Sequence, residues 1–379
     1  MAEPVIIGFA RSAFAIAHKG SLKDVRPDDL AAKVARELVD RLQIPHEDLE
    51  DLLLGCAYPE GEQGNNLGRI VTYLAGLPLS LPGMTTNRLC GSSMQTIHTA
   101  CGAIRMGAGE VFLCGGVESM SRIQRGGFNL TPNPNLLEGA PDAYISMGLT
   151  AENLAEKYSI SRSEQEQFAL LSHQKAATAA SVGNFSAEIV SIDTEQGTFE
   201  ADECIRAQTS LDGMARLKPA FDESGSVTAA TSSPLTDGAA FTIICSEEYA
   251  AEQNITPLAK IISTAVVGCP PEMMGIGPVE AISKALRRAG LELDQIDVFE
   301  LNEAFAAQVL AVLEELPLDQ GKVNIDGGAL ALGHPLGASG ARITGKTAAL
   351  LRREGGRYGL AAMCIGGGMG IATVLESIE

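Results

Sequence analysis

Hydrophobic positions recur along this chain in two registers. Short apolar runs such as Leu52-Leu53-Leu54 and Val298-Phe299 alternate with stretches in which apolar residues return every third or fourth position. These are the patterns of buried strands and of helices. Residues 35–56 read as a helix, a short polar loop and a strand ending at Gly55-Cys56. Residues 281–302 repeat the plan: Ala281 to Ala289 is amphipathic, Gly290 closes it, and Val298-Phe299 leads to Leu301-Asn302. Asp48 and Asp51 fall opposite Asp294 and Asp297. The echo continues downstream, with Cys56 lying 34 residues before Cys90 and Asn302 lying 32 before His334. Cys90 and His334 each precede a small-residue helix and then a strand ending in Cys-Gly-Gly (114–116) or Cys-Ile-Gly-Gly-Gly (364–368).

A repeat this long, used twice, predicts a duplicated α/β domain rather than a solenoid. Strands alternating with helices predict mostly parallel sheets sandwiched by helices. The region between the halves has a different texture. Thr131-Pro132-Asn133-Pro134-Asn135 is rich in turn formers, 150–180 reads as one long polar helix, and 191–228 reads as loop. The expected division is therefore 1–119 for the first half and 246–379 for the second. Residues 120–245 form an inserted loop domain with the return to the first half, a natural place for ligand contacts.

At 379 residues and 45% hydrophobic, the chain can bury large cores, and with 4% aromatics and no Trp those cores are aliphatic. A net charge of −19 argues against nucleic acid and anionic membrane surfaces, although a local basic pocket remains open. No apolar run approaches a membrane span, and neither the opening residues nor Ser377-Ile378-Glu379 reads as a targeting signal. The eight cysteines form no C-x-x-C pair and lack histidines at metal spacing. Together these features point to a reducing, cytoplasmic setting without a metal site.

One cysteine is placed differently from the rest. Cys90 directly precedes a helical pattern in which Met94, Ile97, Cys101 and Ile104 recur, with Gly91 and Ser92 at the cap. A helix N-terminus favours negative charge, so this position predicts a thiol drawn toward thiolate, the form that attacks carbonyls. Three other segments also sit where a strand gives way to a loop: Asn302-Glu303-Ala304-Phe305; Gly327-Gly328 through Gly333-His334-Pro335-Leu336-Gly337-Ala338-Ser339-Gly340; and Cys364-Ile365-Gly366-Gly367-Gly368-Met369-Gly370. Taken singly, each has a structural explanation: a turn histidine, a tightly packed strand end, a helix-capping asparagine. The repeat, however, places Cys90 and His334 at equivalent junctions of paired halves.

In order and spacing these four segments resemble the thiolase family, nearly end to end from Arg11-Ser12-Ala13-Phe14 to the last strand. The resemblance implies two α-β-α-β-α layered halves with an inserted loop domain. It also implies cleavage of 3-ketoacyl-CoA by coenzyme A, or the reverse condensation, in fatty acid β-oxidation. Cys90 would carry the acyl group and His334 would take its proton and help hold an oxyanion. Cys364 would be the second acid/base, and Asn302 would fix a water beside His334. The N–H groups of Cys90 and Gly366 would form another oxyanion site. For coenzyme A, a cosubstrate rather than a resident cofactor, the resemblance maps Arg206 near the nucleotide and Ser233 near the pantetheine. Arg216 and Lys218 offer further positive charge and are equally explained as solvated surface residues. Met147 and Met274 match acyl-pocket positions and are also the residue type of an ordinary aliphatic core. Homodimers, homotetramers and a multifunctional β-oxidation partner all occur among such proteins.

Gly340-Ala341-Arg342-Ile343-Thr344-Gly345-Lys346-Thr347 satisfies the G-x-x-x-x-G-K-[ST] pattern. Ile343, Thr347, Leu350 and Leu351 already keep helical spacing, so it reads as helix interior rather than a phosphate loop. Asp326 stands where the family usually has asparagine. Ser92-Ser93-Met94 and Ser146-Met147-Gly148 lean toward the degradative branch, with a biosynthetic acetyl-CoA acetyltransferase as the alternative. A decarboxylating ketoacyl synthase would need a histidine where Cys364 stands. A non-catalytic CoA- or lipid-binding module would be expected to lack one of Cys90, His334 and Cys364.

Overall fold

Aliphatic runs without polar alternation are what a strand buried on both faces requires, and they form the strands of a computed structural model that describes residues 2–378. Met1 and Glu379, the outer limits of the two expected halves, lie outside the described residues. The principal strands are β1 (Pro4–Ser12), β2 (Asp51–Gly55), β3 (Gly83–Thr86), β4 (Val111–Ser119), β5 (Thr236–Ser246), β6 (Ala259–Gly268), β7 (Val298–Leu301), β8 (Tyr358–Ile365) and β9 (Met369–Ser377). The principal helices are α1 (Pro27–Leu42), α2 (Leu67–Leu74), α3 (Ser92–Met106), α4 (Met147–Lys157), α5 (Arg162–Ser181), α6 (Gly277–Ala289), α7 (Ala306–Glu315) and α8 (Leu336–Glu354). Among the described residues, no helix is long and apolar enough to cross a membrane.

The strands lie in the order β7-β8-β9-β6-β1-β5-β4-β2-β3 within an 11-stranded sheet. Its two ends are copies of one plan. In the first, β1-β5-β4 pair antiparallel and β4-β2-β3 parallel. In the second, β6-β9-β8 pair antiparallel, β8-β7 parallel, and an isolated parallel bridge from Phe299 to Val323 stands where β3 stands in the first. Among the described residues, only Val5 opposite Lys260 and Ile6 opposite Ala259 join the copies as strands. The expectation of mostly parallel sheets is thus corrected. A parallel pair needs a long crossover, whereas β8 turns into β9 through Gly366-Gly367-Gly368, and such a hairpin can only be antiparallel.

Alternation along β4 shows how the layers arise. Val111, Leu113 and Val117 pack with residues of α1 and α2, while Phe112 and Cys114 pack with α3 and α8. On the other side of α3 and α8, β7, β8 and β9 meet α6 and α7. The result is five layers, α-β-α-β-α, with α3 and α8 at the centre. Their crossing needs glycine: a Cβ on Gly340 would lie 2.4 Å from the backbone nitrogen of Met94. The nucleotide-loop pattern at 340–347 falls wholly inside α8, as its helical spacing predicts.

Two expectations about the inserted region change. The helix read over 150–180 is two, α4 and α5. Between them Ser159 takes a positive φ of 52°, and Ser161 caps α5 in a reciprocal box with Glu164. The stretch 191–228 carries a small hairpin, Ile192–Thr194 with Gly197–Phe199, and a short helix at Leu211–Ala215.

Buried charge ties these parts together. Arg11 holds Asp202 (2.7 Å) and Glu188 (2.8 Å); Lys346 holds Glu188 (3.0 Å) and Asp326 (2.7 Å); Arg353 closes on Asp326 (2.6 Å). The chain of three cations and three anions is balanced, as buried ions must be. Asp326, the departure from the family pattern, is the anion shared by Lys346 and Arg353.

Candidate active site

The loop between β3 and α3 presents Cys90. Leu89 adopts a φ of 46°, uncommon for a residue with a side chain, and local bonds hold it there. The Leu89 amide donates to Asn87 Oδ1 (2.8 Å), Ser92 Oγ donates to the Leu89 carbonyl (2.6 Å), and the Arg88 amide donates to Ser92 Oγ (2.9 Å). Cys90 comes out half-buried, one residue before the cap Gly91. Its thiol does not follow the expected drift toward thiolate. Burial pushes it above the ordinary cysteine value, outweighing the amide of Gly366, the charge of Arg125 and its own amide. Desolvation beats the helix terminus here, so a resting thiol needs a base.

His334 lies in the loop leading to α8 and is buried. Its Nδ1 is 2.6 Å from Ser339 Oγ, and that hydroxyl donates to the Pro335 carbonyl at 3.0 Å. The hydroxyl proton is therefore used, so Oγ accepts from Nδ1–H and leaves Nε2 with its lone pair. Burial, then the charge of Arg342, push the imidazole down to about 3, so it is neutral at pH 7. Asn302, one residue beyond β7, donates from Nδ2 to Nε2 at 3.4 Å. Its Oδ1 is buried with no hydrogen-bond partner among the described residues.

Cys364 and Gly366 sit at the end of β8 and in the hairpin that follows. The Gly366 amide faces the Cys90 sulfur. Cys364 is buried, and burial, followed by the proximity of Cys90, pushes its thiol well above the ordinary range. Gly366 allows close approach: a Cβ there would be 3.2 Å from Met147 Sδ and 3.3 Å from Leu89 Cδ1. Met274 and Phe305 share an apolar cluster with Cys364, and Met147 packs against it.

Cys90, Cys364, Gly366, Met147 and Met274 thus converge, while His334 and Asn302 form a second contiguous group. The Ser233 amide donates to the Ala304 carbonyl at 2.9 Å, placing it beside the Asn302 segment. The Arg206 amide donates to His173 Nδ1 (3.1 Å), and its side chain is exposed; Arg216 and Lys218 are exposed on the same region. Several supporting residues escaped the sequence reading. Buried Glu118 on β4 accepts from the amides of Ala57 (2.8 Å), Tyr58 (3.2 Å) and Gly337 (2.9 Å), joining the two halves behind His334. Glu303 accepts from Ser172 Oγ (2.6 Å) and Asn324 Nδ2 (2.7 Å), fixing the loop domain to the second half. A carboxylate inside the apolar run 111–119 was the available signal for Glu118; its partners are backbone amides, which no motif records.

Two like layered halves that bring one cysteine against a second, with a buried neutral histidine in the loop leading to α8, define a class. The thiolase N-terminal domain matches residues 4–248 and the thiolase C-terminal domain residues 255–377. The chain belongs to the thiolase family and is an acyltransferase. It is 46% identical over 389 residues to the 3-ketoacyl-CoA thiolase of Bacillus subtilis (strain 168), covering 99% of this chain and 100% of that protein. The human mitochondrial 3-ketoacyl-CoA thiolase in complex with CoA superposes with a TM-score of 0.92 at 41% identity, over 100% of this chain and 98% of that one. The Bacillus anthracis acetyl-CoA acetyltransferase gives 0.92 at 40% identity, over 100% and 99%.

Proposed function

We propose that this chain cleaves 3-ketoacyl-CoA with coenzyme A, reversibly, through an acyl thioester on Cys90. The observation that carries the reading is a protonated Cys90 thiol held at the Gly366 amide beside a second protonated thiol, with a neutral imidazole whose Nε2 keeps its lone pair and receives only a long 3.4 Å bond from Asn302. His334 Nε2 takes the Cys90 proton as sulfur adds to the 3-keto carbon. The C2–C3 bond then breaks, its electron pair goes to the acetyl-CoA enolate, and Cys364 supplies the proton, which suits its raised pKa. In the second half, incoming CoA gives its thiol proton to the Cys364 thiolate, attacks the thioester and leaves as the shortened acyl-CoA, while the released Cys90 sulfur recovers its proton from His334. The amides of Cys90 and Gly366 would hold one oxyanion; His334 and a water on Asn302 Oδ1 would hold the other. Each such donor contributes about 2.7–4 kcal/mol.

Arg206 and Ser233 are the coenzyme A contacts in this reading, with Met147 and Met274 on the acyl side. A homodimer fits the exposed Met84 of β3, the last strand in the sheet order, together with the exposed Tyr73 and Leu74 of α2 and Leu79 of the loop that joins α2 to β3. A cytoplasmic, reducing setting fits eight cysteines that are all free. We place the reaction in β-oxidation, with the acetoacetyl-CoA-forming direction as the second reading because of the similarity to an acetyl-CoA acetyltransferase.

The test is thiolysis across acyl chain lengths with the acyl group trapped and located by mass spectrometry. The adduct is expected on Cys90, and full activity in Cys90→Ser would end the mechanism. Cys364→Ala should still become acylated from an acyl-CoA yet fail to exchange the α-protons of acetyl-CoA; normal exchange moves the acid/base elsewhere. Activity confined to acetoacetyl-CoA selects the biosynthetic reading.

A further inference from the structure

Strand β7 and helix α8 are joined by two parallel rungs, of which only one touches the reaction. On β7, Phe299 and Leu301 pack toward α6 and α7, whereas Val298 packs with α8. Strand alternation therefore sends Glu300 and Asn302 to the α8 side. On α8, Ser339 and Arg342 are three residues apart and share a face. The first rung runs Asn302–His334–Ser339 at 3.4 and 2.6 Å. The second is the ion pair Arg342 Nη1 to Glu300 Oε2 at 3.0 Å, with both side chains buried.

Resting on the reading of His334 as the base, we propose that Arg342 and Glu300 are a positioning pair, which sets the Asn302–His334 spacing and keeps His334 in its proton-accepting form. The pair is poorly made for stability alone. Glu300 Oε1, Arg342 Nε and Arg342 Nη2 are buried without hydrogen-bond partners among the described residues. Apolar residues of similar volume commonly serve as well as a buried ion pair. What apolar residues cannot supply is a fixed positive charge behind the imidazole. Arg342 is the cation that, after burial, depresses His334. The other charged or titratable groups around the pair and the histidine loop are Glu303 beyond β7, Lys175 on α5, Asp326, Lys346 on α8, Glu118 at the Gly337 amide, and Cys204 beside Gly333.

The experiment compares the pH dependence of acetoacetyl-CoA thiolysis in the full chain with that of Arg342→Met, Glu300→Gln and the double variant. The double variant leaves no orphan charge and guards against failure to fold. Arg342→Met and the double variant should lose about 10²-fold in kcat, the cost of misplacing a reacting group by about 1 Å, with KM for CoA unchanged. Removing the cation lets His334 protonate more readily, so their acid limb moves to higher pH. Glu300→Gln leaves the cation less neutralised, so its limb moves the other way or stays below the measured range. A kcat within twofold of wild type, or a loss of kcat with no movement of the limb in the double variant, overturns the pairing. His334→Ala separates the two layers of reasoning. If it is fully active, the base assignment falls; if it is inactive while the double variant keeps the wild-type profile, only the positioning pair falls.

Discussion

Replacing Ser339 by alanine should damage catalysis far more than stability. The substitution removes the acceptor 2.6 Å from His334 Nδ1. The imidazole then either keeps its proton on Nδ1 as a buried, unpaired donor or moves it to Nε2, where it cannot receive the Cys90 proton. A buried donor without a partner costs about 1–3 kcal/mol, so the productive tautomer is disfavoured by that amount. At about 1.4 kcal/mol per decade this is about a 5- to 150-fold loss in the rate of acyl transfer to Cys90. The stability account is smaller. Ser339 sits inside α8 and spends its hydroxyl proton on the Pro335 carbonyl; alanine loses that bond but is the better helix former, by less than about 0.7 kcal/mol. Quenched-flow measurement of acyl-Cys90 formation, followed by mass spectrometry, should show the slowed step beside a nearly unchanged denaturant midpoint. An acylation rate within twofold of wild type would show that Ser339 does not set the tautomer.

Other substitutions probe the frame around the site. Lys346→Ala leaves Glu188 and Asp326 without one of their cations and should cost about 3–5 kcal/mol, read as a lowered denaturant midpoint. ATP hydrolysis by the wild-type chain, lost in that variant, would revive the phosphate-loop reading. His173 is pushed down to about 4, by burial and then by Arg206. Between about 4 and the unfolded value of about 6.5, only the unfolded chain takes its proton, so stability is lost as pH falls through that window. His173→Asn keeps an acceptor for the Arg206 amide and should flatten this slope in denaturant titrations, and an unchanged slope would contradict the assignment. Gly340→Ala, with its Cβ 2.4 Å from the Met94 nitrogen, should force α3 and α8 apart and cost about 1–3 kcal/mol or more; a wild-type midpoint would show that the crossing can relax.

The duplicated plan was legible because it is local. Helix, loop and strand at 35–56 and 281–302 recur as α1-β2 and α6-β7, and Gly290 ends α6 with a φ of 68°. The motif residues were legible because each stands at a strand end with a distinctive side chain. Long-range choices were not. Arg342 looked like one more polar residue of a helix until Glu300, from another part of the chain, faced it. The drift of Cys90 toward thiolate was a sound local inference overruled by burial, which only the assembled halves create. The break at Ser159 inside an otherwise continuous helical pattern escaped because a single left-handed residue leaves little trace in periodicity.

The central layer has a consequence for how the protein is made. Helix α3 emerges at residues 92–106, but its neighbour α8 is not synthesised until 336–354. Until then Met94 and Ile97, fully buried in the finished molecule, have only part of their cover. Translation adds about 5–20 residues each second, so a nascent first half carries an open apolar seam for at least about ten seconds. Such a seam is a binding site for chaperones and a route to aggregation. Severing the gene between the halves should therefore yield an insoluble first product, rescued by co-expression of the second.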